Sequence, residues 1–176
     1  MAAQRFVDAL NAQIGSEFSA QNQYIGVAAY YDGLTMPRLA GLFYRQAAEE
    51  RAHGMMMVRY LLDRDEPVRI PAVAEPAHGF ADVIAPIQLA VEQERQVTEQ
   101  IDQLVRIARE EHDYASEQFM HWFVKEQVEE VATMTDLLAV VTRSANDLER
   151  IEDFVAREGT RRASDPTAPA QAGADA

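Results

Sequence analysis

The sequence predicts an all-α protein: a four-helix bundle with one long crossover and a short fifth helix. Three observations carry this. Four long stretches repeat apolar residues at helical spacing. Short turn signals join the first stretch to the second and the third to the fourth. One proline-rich stretch, too long for a turn, separates the two pairs.

Residues 3–32 read as the first helix. Phe6, Leu10, Ile14 and Phe18 recur every four residues, and no proline interrupts them. Thirty residues of helix span about 45 Å. Asp32-Gly33-Leu34-Thr35-Met36-Pro37 is a turn. Gly33 is expected in the left-handed conformation that closes a helix, with Thr35 capping the next one. The second helix runs to residue 65 and carries Leu39, Leu42, Phe43, Ala47, Met57, Val58, Leu61 and Leu62. Residues 66–82, with Pro67, Pro71, Pro76 and Gly79, are expected as an extended strap able to run the length of a bundle. The third helix covers residues 82–111, with Pro86 in its first turns. After a polar turn at Glu110-Glu111-His112-Asp113, the fourth covers residues 114–143. Leu148, Ile151, Phe154 and Val155 mark a fifth, short amphipathic helix ending near Glu158. Residues 1–158 thus form one domain. Residues 159–176, rich in Ala, Pro, Ser and Asp without apolar periodicity, are expected to be a disordered tail.

The composition limits the chemistry. There is no cysteine, which excludes disulfides, zinc–cysteine sites and iron–sulfur clusters from this chain. The net charge of −13 argues against direct binding to a nucleic acid backbone. Neither a secretory signal nor a membrane-spanning run is read in the sequence, so a cytoplasmic protein is expected.

The chemistry-bearing residues lie at matching heights. Glu50 and His53 stand three apart, on one face of the second helix. Glu-x-x-His on an inward helical face is a di-iron or di-manganese device in four-helix bundles. Glu17 lies about as far before the first turn as Glu50 lies after it. Glu94 and Glu130 are likewise equidistant from the turn near His112. Tyr24 is two turns from Glu17, and Gln127 shares the face of Glu130. Any one of these residues alone reads as part of a solvated or salt-bridged face. Four mid-bundle carboxylates and an imidazole together are costly to bury unless a cation compensates them. Iron accepts carboxylate and imidazole together.

The segments Gln13-Ile14-Gly15-Ser16-Glu17-Phe18, Gln46-Ala47-Ala48-Glu49-Glu50-Arg51-Ala52-His53, Gln93-Glu94-Arg95 and Trp122-Phe123-Val124-Lys125-Glu126-Gln127-Val128-Glu129-Glu130 resemble those of the bacterial non-haem ferritins, most closely the actinobacterial ones. The resemblance covers residues 3–158. It implies a first iron site of Glu17, Glu50 and His53, and a second of Glu50, Glu94 and Glu130, with Glu50 bridging. It sets Gln127 by the second iron and Tyr24 beside the pair. Glu49, Glu126 and Glu129 resemble a third iron site leading inward. The implied function is iron storage with ferroxidase activity: Fe²⁺ is oxidised by O₂ or H₂O₂ at a di-iron centre inside each subunit, and Fe³⁺ mineral is kept in a homo-oligomeric shell, a 24-mer.

Departures from neighbouring families are informative. Bacterioferritins carry a second Glu-x-x-His on the fourth helix, where this chain has Gln127-x-x-Glu130. Their haem-ligating methionine falls where Arg51 and Ala52 stand, so no haem is expected. Rubrerythrins need a cysteine-ligated iron domain, and there is no cysteine. Met55-Met56-Met57 reads as core filler, Trp122 as packing, and His78 and His112 as loop residues. Glu117 and His121 are candidates for a three-fold pore, and Arg161-Arg162 for shell contacts. Two other readings stand beside storage: a di-iron or di-manganese oxidase acting on an organic substrate, and a metal-free helical interaction module.

Overall fold

The computed structural model describes residues 2–158 and 165–174. Among these there are five helices and no strand: α1 Gln4–Gly33, α2 Pro37–Asp63, α3 Ala85–Glu110, α4 Tyr114–Arg143 and α5 Leu148–Glu158. α1 packs along α2 and α3 along α4, as short turns require of antiparallel neighbours, and α5 packs on α2. The bundle, its single crossover and the short fifth helix agree with the sequence reading. No helix is long and apolar enough to cross a membrane among the described residues.

The first turn differs in detail from expectation. α1 runs through Gly33, and the left-handed residue is Thr35, with φ 60°. Thr35 N–H donates to Asp32 O at 3.0 Å and Met36 N–H to Tyr31 O at 3.0 Å. This is a Schellman closure, and Met36, 1% exposed, drops into the core as its hydrophobic anchor. The same pattern ends α2 at Asp65 (φ 57°) and α3 at His112 (φ 55°), with Glu66 N–H to Leu61 O and Asp113 N–H to Ala108 O. None of the three left-handed residues is glycine. Backbone hydrogen bonds at each closure, and at Thr35 the burial of Met36, offset a conformational cost of about 1–2 kcal/mol. Thr35 therefore does not cap α2, whose N-cap position is Met36 with no side-chain acceptor. The acceptor comes from α5 instead: Glu152 takes Arg38 N–H at 2.7 Å and Leu39 N–H at 2.8 Å. A carboxylate there satisfies orphan donors and complements the positive end of the helix dipole.

α3 begins three residues later than predicted. Asp82 accepts from Ile84 N–H and Ala85 N–H, both at 2.9 Å, so it precedes the helix as a local cap. Asp113 caps α4 through Ser116 N–H and also accepts from Ala3 N–H, tying the start of α1 to the start of α4.

The strap, residues 64–84, lies along one stripe of α1. Asn11 donates to Pro67 O and accepts from Arg69 N–H. Ser19 Oγ accepts from Ala74 N–H, and Gln23 exchanges two hydrogen bonds with Ala77. Gly15 fills the gap in this ladder: a Cβ there would stand 2.9 Å from the Pro71 ring. Positions 11, 15, 19 and 23 are four apart, so one helix face serves backbone groups that an extended chain cannot satisfy within itself.

The apolar core is in two parts. One cluster, around Tyr31, Leu39, Phe43, Ile87, Leu137 and Ile151, fills the α5 end. The other, around Phe6, Leu10, Met57, Leu61, Ile101 and Phe123, fills the opposite end. Met56 and Met57 belong to the second cluster, as expected of core filler. Between the two clusters lies a buried polar layer.

Residues 165–174 lie on α2 and α4: Ala172 N–H donates to Met55 O at 3.1 Å, Asp165 pairs with Lys125, and Ala168 and Ala172 pack against the second cluster. Arg161 and Arg162 lie outside the described residues.

Replacing Glu152 with Ala removes the acceptor at the start of α2. The expected loss is about 1 kcal/mol, the usual worth of a helix cap. It is read as a lower Tm in thermal unfolding followed by circular dichroism, with helix content unchanged at low temperature.

Candidate metal centre

The polar layer is made by residues from all four long helices. Glu17 and Tyr24 come from α1, Glu50 and His53 from α2, Glu94 from α3, and Gln127 and Glu130 from α4. None is more than 4% exposed. Helical spacing turns Glu50 and His53 to one side. Gly54 lets the two helices of the first hairpin approach there, because a Cβ at that position would lie 2.6 Å from the Phe18 ring. Ligand atoms of Glu17, Glu50 and His53 all fall within 4.8 Å of one another. His53 Nδ1 is 3.5 Å from Glu50 Oε2 and 3.7 Å from Glu17 Oε2, too long for good hydrogen bonds.

Three carboxylates are each held by one neutral donor. Gln13 Nε2 donates to Glu17 Oε1 at 2.8 Å, Gln46 Nε2 to Glu130 Oε2 at 2.9 Å, and the Tyr24 hydroxyl to Glu94 Oε1. The remaining buried oxygens Glu17 Oε2, Glu50 Oε2 and Glu94 Oε2 accept no hydrogen bond. A buried carboxylate oxygen without a donor costs several kcal/mol in order of magnitude. A cation ligated by these oxygens removes that cost, so the donor set fits hard-to-borderline divalent metal ions. Thr98 Oγ1 donates to Glu94 O at 2.8 Å and lies 3.1 Å from Gln127 Oε1, joining α3 to α4 beside the layer.

Burial and mutual charge shift the titration of these groups. Burial pushes the Glu50 carboxyl well above the usual range, and Glu17 and Glu94 push it the same way against His53. Burial and the neighbouring Glu130 raise Glu94 to about 8. Burial works against a charged His53, but Glu17 and Glu50 overcome it and raise the imidazole well above its ordinary value. Burial also opposes ionised Glu17, and contacts with His53 more than offset it, so Glu17 is lowered. Burial and three surrounding carboxylates hold the Tyr24 phenol well above 10, so it remains a donor at neutral pH.

The other candidates lie apart from this layer. Glu49, Glu126 and Glu129 line a cleft of about 480 Å³ on the α2–α4 face, which His53 and Trp122 also line. Trp122 packs edge-on to His53, with ring centroids 5.7 Å apart. Glu117 pairs with Arg109 at 2.7 Å and lies 3.8 Å from His121. His78 is exposed beside Glu75, and His112 closes α3. Sequence reasoning did not single out Gln13, Gln46 or Thr98 as partners of the layer. Gln13 stands four before Glu17 on the same face, a signal that was available. The Gln46–Glu130 contact crosses between helices 84 positions apart and leaves no such trace.

A four-helix bundle with this layer belongs to the class of helical metal-binding proteins with carboxylate-rich centres. Residues 7–144 match the ferritin-like domain family. The chain is 51% identical to Ferritin BfrB of Mycolicibacterium smegmatis, over 96% of this chain and 93% of that protein. It is 34% identical to a bacterial non-heme ferritin of Staphylococcus aureus, over 92% and 97%. An open pore ferritin from the archaeon Archaeoglobus fulgidus superposes with a TM-score of 0.87 at 29% identity, covering 92% of this chain and 100% of that one. The chain belongs to the ferritin family, a family of iron-storage proteins.

The electrostatics give the pH dependence of the metal-free fold. Glu50, Glu94 and His53 all keep their protons to higher pH when folded than when unfolded. Their contribution therefore declines as pH rises, from the carboxylate value of 4.5 to about 8 for Glu94, and above 6.5 for His53. Glu17 acts oppositely, but only below 4.5. The Tm of metal-free protein is expected to be lower at about pH 8 than at about pH 6, and redox-inert Zn²⁺ is expected to raise it more at the higher pH. Differential scanning calorimetry at both pH values checks this.

Proposed function

We propose that this chain is a ferroxidase that stores the iron it oxidises. Fe²⁺ is the substrate. One iron binds at Glu17, Glu50 and His53. A second binds at Glu50, Glu94 and Glu130, with Glu50 bridging and Gln127 alongside. The observation that carries the reading is the set of buried oxygens on Glu17, Glu50 and Glu94 that accept no hydrogen bond, in one layer with His53. Membership of the ferritin family supports iron as the metal.

The chain's own groups do the following. Gln13 and Gln46 each hold one oxygen of Glu17 and of Glu130 in place. Tyr24 does the same for Glu94. Glu94 and His53 release protons as Fe²⁺ binds, because both hold them near neutral pH in the metal-free state. Two irons give two electrons to O₂ or H₂O₂, and the Fe³⁺ product leaves toward Glu49, Glu126 and Glu129. Mineral collects inside a 24-subunit shell in the cytoplasm. A single bundle encloses no space for mineral, and α5 with Leu148 exposed offers an apolar edge for assembly.

The organic-substrate oxidase is less well supported. Phe43 and Phe123 are buried against Tyr24 and His53, and Phe18 is wedged against Gly54. Aromatic rings fill the space where an organic substrate would sit.

Glu50→Ala is expected to slow rapid Fe²⁺ oxidation by more than about tenfold while assembly is kept, since losing even an outer partner of a metal ligand costs about that much. Stopped-flow absorbance at equal subunit concentration measures it, and an unchanged rate removes the bridging role. Storage is tested separately, by aerobic addition of excess Fe²⁺ to metal-free protein and size exclusion with iron detection. Iron far beyond ligand capacity should co-elute with a particle many times the 19.7 kDa chain. A few irons per chain on a small oligomer would favour the oxidase.

A further inference from the structure

The cleft on the α2–α4 face is roofed by the C-terminal segment. Its lining includes His53, Glu49, Glu126 and Glu129 from the helices, and Asp165, Pro166 and Ala168 from the segment. Asp165 Oδ2 accepts from Lys125 Nζ at 3.0 Å and from Trp122 Nε1 at 3.3 Å. Its other oxygen accepts from Thr167 N–H and the Thr167 hydroxyl, which stiffens the segment locally. Ala172 N–H to Met55 O fastens the far end on α2. Asp165 thus ties the segment to α4 at the cleft, and Ala172 ties it to α2. Trp122, bonded to Asp165, also packs on His53, so the roof is one side chain away from the metal centre. Glu49, Glu126 and Glu129 put carboxylates along the cleft, and Lys125, the one lysine or arginine lining it among the described residues, is engaged by Asp165.

We propose that the 165–172 segment is a lid on the passage between His53 and the cleft, and that Asp165, latched to Lys125 and Trp122, is the positioning residue that sets how fast metal ions pass. The inference rests on the metal-centre reading above. A lid changes the rates of binding and release together and leaves their ratio unaltered. A ligand changes the ratio. A purely electrostatic effect depends on the sign of the charge removed.

The test uses the full-length protein, anaerobic Co²⁺ as a probe that needs no oxidant, and the emission of Trp122, the only tryptophan. Asp165→Asn removes a negative charge and Lys125→Gln a positive one, and both open the latch. Both variants are expected to red-shift Trp122 emission and to speed Co²⁺ uptake and its release to excess chelator several-fold, with Kd within about twofold of the unsubstituted protein. The reversed pair K125D/D165K is expected to restore slow exchange. Several results overturn the proposal: unchanged emission in both variants, shifted emission with unchanged rates, rates moving in opposite directions in the two variants, or a change in Kd with one rate fixed. If the unsubstituted protein binds no Co²⁺, the metal-centre reading fails and takes the lid's role in metal passage with it. Normal binding with unaltered variant rates overturns the lid alone.

Discussion

Four carboxylates and an imidazole are buried across the middle of a helical bundle, and the rest of the structure is arranged around that burden. Water cannot reach these groups, and two of the carboxylates respond by holding protons far above their usual range. The bundle tolerates the layer because it is flanked by two complete apolar clusters. Each cluster alone closes one end of the bundle, so the polar centre need not contribute to stability. It is free to be set by what binds there.

Holding the layer in register is the work of features far from it. Glu17 and Glu50 meet only if the α1–α2 turn has a fixed length, and the Schellman closure at Thr35 fixes it, with Met36 as its buried anchor. Glu94 and Glu130 depend in the same way on the closure at His112 and the cap at Asp113. The strap is the covalent link between the two hairpins, and the ladder from Asn11 to Gln23 pins it to α1. A shift of one turn in any of these moves a carboxylate by about 5.4 Å, more than a ligand sphere allows. Neutral donors then set the fine orientation. Glutamine and protonated tyrosine direct a carboxylate without cancelling its charge, which leaves that charge for the metal.

Much of this was legible in the chain. The apolar stripe of α4 defined a helix over 114–143, and the structure has Tyr114–Arg143. Counting from the turns placed Glu17, Glu50, Glu94 and Glu130 at one height, and the structure has all four in one buried layer. The helix ends were harder. Gly33 carried the usual left-handed signal, yet Thr35 took the position, because burying Met36 outweighs an intrinsic preference of about a kilocalorie per mole. Asp82 was placed inside α3 when its side chain caps the helix from outside. The contacts of residues 165–174 with Met55 and Lys125 carry no periodic signal in the chain.

The sequence by itself determined the helices, their pairing and the height at which the acidic residues meet. Helical periodicity and turn length are local properties, and local properties are written in consecutive residues. Only the tertiary structure decided which donor holds which carboxylate, which oxygens remain without one, and where the C-terminal segment lies. Gln46 meets Glu130, Tyr24 meets Glu94 and Asp165 meets Trp122 across distances in the chain that no periodicity encodes. Such contacts depend on the rotation and closeness of packed helices, and these are set by the packing of the whole core at once.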